Sequence, residues 1–128
     1  MRVLFIPCGK HPEIREIDGS LESMQELVGG LIEDIRSGDD AAALICNEES
    51  LLLNLEPNRS IEQEGLDGYT IIRGDFFLCG VDGENYTSLA PELIEFYEEL
   101  FHYPEIFLPD GEGGVFSLTL RFGTEDDA

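Results

Sequence analysis

Positive charge is scarce in this sequence. Its 128 residues hold seven Lys and Arg, of which Lys10 is the one lysine, against 28 Asp and Glu, for a formal net charge of −21. Neutralising phosphates requires Lys and Arg, so unassisted binding to nucleic acid is excluded. Docking on an anionic membrane surface is disfavoured for the same reason. Long apolar runs are also missing: the first, residues 3–6, is strand-sized and far short of a bilayer span. There is no Arg-rich amphipathic start and no signal-peptide apolar core, so the cytoplasm is the expected compartment. The three cysteines, Cys8, Cys46 and Cys79, are odd in number, widely spaced and without a Cys-x-x-Cys pair. That is unlike a secreted disulfide scaffold, and the sequons at Asn58-Arg59-Ser60 and Asn85-Tyr86-Thr87 are then chance matches. Repeats and low-complexity segments are absent.

What is present suffices for a core. The chain is 42% hydrophobic, with eight Phe and four Tyr, which excludes a disordered composition. The length implies one domain that buries roughly two-thirds of its unfolded surface. Residues 1–122 are assigned to that domain and 123–128 to a short acidic tail.

The pattern predicts strands over residues 2–6 and 13–17, paired as a hairpin around the breakers Pro7, Gly9 and Pro12. Ser20 is the expected N-cap of a helix whose stripe is Leu21, Met24, Leu27 and Val28, stopped by Gly29-Gly30. Residues 31–35 and 41–46 flank Ser37-Gly38-Asp39-Asp40 as a second hairpin, and the wholly apolar run 41–46 belongs in the centre of the sheet. A polar turn at 47–50 leads into an apolar segment at 51–55, and a loop is expected from Pro57 to about Gly68. Residues 69–72 and 76–81 are strand-like, with Gly74 at a bend. Pro91 suits the first position of a second helix, reaching about His102, with Leu93, Phe96, Tyr97, Leu100 and Phe101 inward. Residues 115–122 alternate as a final strand. The expected fold is α+β, a mostly antiparallel sheet of about six strands in the order ββαββ-βαβ, with both amphipathic helices on one face.

Several strings occur together in order: Ile17-Asp18-Gly19-Ser20-Leu21, Leu27-Val28-Gly29-Gly30-Leu31-Ile32-Glu33, Cys46-Asn47-Glu48-Glu49, Pro57-Asn58-Arg59, Gly74-Asp75-Phe76-Phe77-Leu78-Cys79-Gly80-Val81, Ser88-Leu89 and Glu92-Leu93-Ile94. Over roughly residues 2–101 this resembles an uncharacterised domain-of-unknown-function family. The resemblance implies small proteins of Gram-positive bacteria, their phages, plasmids and conjugative elements, and carries no catalytic residues. Residues 60–68 look longer than that family's usual connection, and the segment from Val115 lies outside its pattern.

Candidate chemistry is sparse. Cys8-Gly9-Lys10-His11 places a thiol and an imidazole in one turn, where a nearby Lys and His can activate a thiol. A zinc site would need Cys46, Cys79 or His102 to converge on them, so an ordinary turn cysteine is expected and no metal or cofactor. Gly9-Lys10 lacks the rest of a phosphate loop, and Asp82-Gly83-Glu84 lacks calcium-loop spacing. Asn47, Glu48 and Glu49, with Asn58 and Arg59, form the densest polar cluster: a polar-ligand or acid–base site, or an Arg59 pair with Glu48 or Glu49 that pins the loop. The pairing is favoured. On the second helix, Glu92, Glu95, Glu98 and Glu99 stand without a lysine among them and repel one another.

Three functions follow. The first is a non-enzymatic acidic accessory protein of a phage or mobile element, acting by binding a basic protein surface. The second is a DNA mimic that occupies the groove of a DNA-handling enzyme, of the anti-restriction or anti-CRISPR type. The third is a small polar ligand binder or enzyme built on Asn47, Glu48, Glu49 and Arg59. The family resemblance and the lack of a complete catalytic constellation favour the first; acidity by itself predicts solubility before a partner, and its distribution names the surface on which a basic partner is expected. Between Arg73 and Arg121 there is no Lys or Arg, while ten acids occur there, the second helix included.

Overall fold

Three segments are apolar at almost every position, and they become the three inner strands. The computed structural model describes residues 1–35, 41–62 and 69–119. In it β1 (Arg2–Ile6), β4 (Ala42–Asn47) and β7 (Phe76–Asp82) are buried along nearly their whole lengths. Around them stand β2 (Glu13–Glu16), β3 (Ile32–Ile35) and β8 (Asn85–Thr87). The order is β2-β1-β7-β4-β3, with β8 also on β7, and every pairing is antiparallel. The class is α+β, as expected, and the hairpins β1–β2 and β3–β4 form where the turn signals put them. Ser37 to Asp40, the end of the last strand and the acidic tail lie outside the described residues.

The helices occupy opposite faces, not one. On one side α1 (Leu21–Val28) lays Met24 and Val28 on Val3, Phe5, Ala43, Ile45, Phe77 and Cys79. On the other, α2 (Pro91–Leu100) lays Tyr97 on Leu4, Ile6, Leu44, Phe76 and Leu78, joined by Phe101 just past its end. Strand side chains alternate between faces, so a strand apolar at every position makes both faces apolar and each needs a cover. Local signals fix both helices. Ser20 accepts the Ser23 N–H at 3.1 Å, and Gly29 closes α1 in the left-handed region at φ 79°. Pro91 opens α2.

The expected loop after Pro57 is a strand instead. β5 (Pro57–Glu62) pairs with β6 (Tyr69–Arg73) in a small second sheet, with an irregularity between Pro57 and Arg59. Pro, Asn and Ser favour turns, and long-range side-chain bonds override that preference here. Gly74 makes the expected bend at φ 78°. A third sheet pairs β9 (Glu105–Pro109) with β10 (Val115–Thr119), and β5 lies against β9.

Candidate functional site

The polar cluster read from the sequence divides into two separate fastenings. Asn47, buried at the end of β4, donates from Nδ2 to Val28 O at 3.1 Å and accepts the Glu49 N–H at Oδ1 at 2.7 Å. It thereby satisfies a carbonyl at the end of α1 that has no partner within the helix. Gly30 makes room for this, because a Cβ there would lie 2.9 Å from Asn47 Nδ2. Glu48 is exposed and Glu49 half-buried.

Asn58 and Arg59 hold a different part of the fold. Asn58 Nδ2 donates to Ile6 O and to Gly74 O, both at 2.9 Å. Arg59 is 0% exposed. Its Nε and one terminal nitrogen donate to Phe101 O at 3.2 and 2.9 Å, that terminal nitrogen also to Lys10 O at 2.7 Å, and the other to Asn58 Oδ1 at 2.7 Å. Burial pulls the guanidinium below its ordinary value, and the Glu105 carboxylate pushes it back up. No ion pair joins Arg59 to Glu48 or Glu49 among the described residues, which corrects the pairing favoured from sequence. α2 has no basic residue in its last turn, and Arg59 places a cation from β5 on the carbonyl just past the helix end, where the macrodipole is negative.

Cys8 and His11 do not pair. The Cys8 thiol donates to Pro57 O at 3.4 Å and its N–H to Asp75 Oδ1 at 2.9 Å. His11 stacks on His102 with centroids 4.4 Å apart, and its Nδ1 donates to His102 O at 2.5 Å. His102 in turn contacts Glu98 at 3.0 Å. No group of three or more His, Cys, Asp or Glu is placed to hold a metal among the described residues. Burial raises the Cys8 thiol above its ordinary value of about 9, and Asp75 and Glu56 raise it further. Burial likewise pushes Cys46 up to about 12. A raised value means less thiolate at neutral pH. Iodoacetamide should therefore modify Cys8 more slowly than a free cysteine at pH 7.5, with a rate still climbing at pH 9. Peptide mapping of the labelled chain checks this, and a plateau below pH 8 would contradict it.

The α2 carboxylates form the candidate surface. Glu92, Glu95 and Glu99 are exposed and make no ion pair among the described residues, while Glu98 is half-buried beside His102. Phe96 and Leu100, expected inward, are 56% and 59% exposed. The six apolar side chains from Leu93 to Phe101 span too wide an arc for one buried stripe. Leu93, Ile94, Tyr97 and Phe101 pack against the sheet and leave Phe96 and Leu100 beside the three acids. The over-wide arc is the signal in the sequence that finds these two. Elsewhere, a cleft of about 610 Å³ between the two small sheets has Glu105 on its wall, held by the Ser60 N–H and hydroxyl at 3.1 and 2.7 Å.

The pattern of a protein family described as a domain of unknown function, DUF3846, matches residues 1–102. The chain belongs to that family. The DUF3846 segment takes in the six-stranded sheet, both helices, Arg59 and all four α2 carboxylates, and ends before the β9–β10 hairpin. No curated protein and no solved structure matches the chain. No helix among the described residues of this DUF3846 protein is long and apolar enough to cross a membrane.

Proposed function

We propose that this protein acts by binding a basic protein surface through the outer face of α2, as a non-enzymatic accessory protein of a phage or other mobile element of Gram-positive bacteria. The observation that carries the reading is the company Glu92, Glu95 and Glu99 keep: three exposed acids without ion partners among the described residues, beside exposed Phe96 and Leu100. Charge without counter-charge steers encounter with a cationic surface. Apolar side chains left in water add affinity once a partner covers them. Their presence favours a protein surface with an apolar patch of its own over a groove shaped for bare phosphates.

A tagged chain passed over lysate of its native host, at low and high salt, tests this. Raising sodium chloride from about 50 to 500 mM should weaken capture at least tenfold, since exposed charge pairs are screened. Glu92→Gln, Glu95→Gln and Glu99→Gln together should slow association, and Phe96→Ser with Leu100→Ser should speed dissociation. Capture indifferent to salt and to both sets of changes would reject the reading.

A further inference from the structure

The β4–β5 connection does something the family's unknown function does not explain: it holds three leucines outward on an ordered turn. Leu51, Leu52 and Leu53 are 77%, 80% and 51% exposed. Four backbone bonds lock the turn, from Ser50 N to Asn47 O at 3.3 Å, Leu53 N to Glu49 O at 2.8 Å, Asn54 N to Leu51 O at 3.1 Å and Leu55 N to Ser50 O at 2.9 Å. Asn54 takes the left-handed φ of 54°, which asparagine tolerates. Both ends are anchored. Asn47 Oδ1 accepts the Glu49 N–H on one side. On the other, Leu55 fits against Gly74 so closely that a Cβ there would lie 2.7 Å from Leu55 Cδ1. Arg73 donates to Leu55 O at 3.2 Å, and the Gly74 N–H to Glu56 O at 2.7 Å.

Turns are ordinarily polar, and a run of exposed apolar residues has a reason only where something covers it. The flanking charge selects the cover. Glu48 and Glu56 are exposed and Glu49 half-buried around the leucines, and none of the three forms an ion pair among the described residues. In a chain of net charge −21, a second copy and an anionic bilayer both meet this tip with like charge. We infer that Leu51, Leu52 and Leu53 form a docking knuckle for the apolar face of a helix flanked by Lys or Arg on another protein. The surface is distinct from the outer face of α2 and stands independently of it.

The test uses the full chain and a defined probe, an amphipathic helical peptide of leucine and lysine, with binding read by fluorescence anisotropy. Changing Leu51, Leu52 and Leu53 together to serine should leave the melting temperature unchanged, because all three are exposed. It should weaken peptide binding at least tenfold, equivalent to about 1.4 kcal/mol. The same loss should appear in a background where Glu92, Glu95 and Glu99 are glutamine, which separates the knuckle from α2. Equal binding by the parent and triple-serine chains would overturn the inference. So would leucine-dependent binding to phosphatidylcholine–phosphatidylglycerol vesicles, or a leucine-dependent dimer in sedimentation, since either would name a different occupant.

Discussion

Replacing Arg59 with methionine is expected to remove about 3–5 kcal/mol of stability, a large share of the roughly 5–15 kcal/mol that holds a domain of this kind together. The loss does not come from the charge alone. Lys10 O, Phe101 O and Asn58 Oδ1 all accept from the fully buried guanidinium, the last two at buried sites and Lys10 O at a part-buried one. Methionine fills the volume and leaves these acceptors without that donor, at about 1–3 kcal/mol for each buried acceptor left unpaired. Three parts of the chain would loosen together: the turn after β1, the end of α2 and the start of β5. Arg59→Lys should recover only part of the loss, because an ammonium cannot reproduce the fork that meets Phe101 O twice. Urea unfolding of the three proteins measures this. A change below about 1 kcal/mol would mean that Arg59 is not the fastening described, and would return it to consideration as a ligand-binding group.

Gly80→Ala is the second large effect, expected at about 2–3 kcal/mol from overpacking against backbone. Gly80 lies in β7, paired with Ala42 on one side and Thr87 on the other. A Cβ there would sit 2.3 Å from Ser88 O and 3.0 Å from Thr87 Cγ2. The carbonyl cannot easily retreat, because both neighbours are tied to β1: the Ser88 hydroxyl accepts the Arg2 N–H at 2.8 Å, and the Leu89 N–H donates to Arg2 O at 2.9 Å. The control is Gly83→Ala. Gly83 has φ 64° and nothing within 4 Å of its added Cβ, so only left-handed strain of about 1–2 kcal/mol opposes it. If the two substitutions cost the same, the close approach at Gly80 carries no energetic weight.

The features that were legible in the sequence share a property: each depends on residues within a few positions. Ser20 and Gly29 bound α1 because cap and stop are made by neighbours in the chain, and Pro91 opens α2 for the same reason. The β1–β2 and β3–β4 hairpins follow from short connections between an apolar strand and a more polar, strand-length neighbour. Features that depend on distant residues are not legible in the sequence. The strand at Pro57–Glu62 has turn-forming residues, and what holds it extended includes Asn58 bonds to Ile6 O and Gly74 O. Asn47 and Arg59, close in sequence, serve opposite helices. Continuous apolar runs in β1, β4 and β7 do signal that both sheet faces need cover, since a one-sided strand alternates.

By itself, then, the sequence determined the excess of negative charge, the α+β class, the helix ends and the local hairpins, because propensity, capping and composition act over a few residues. The tertiary structure alone decided which face each helix covers, which polar side chains are buried as fastenings, and which apolar ones remain outside. Those outcomes depend on long-range hydrogen bonds and on competition for a limited buried area. Tyr97 and Phe101 occupy that area, while Phe96, Leu100 and the three leucines of the β4–β5 turn stay in water.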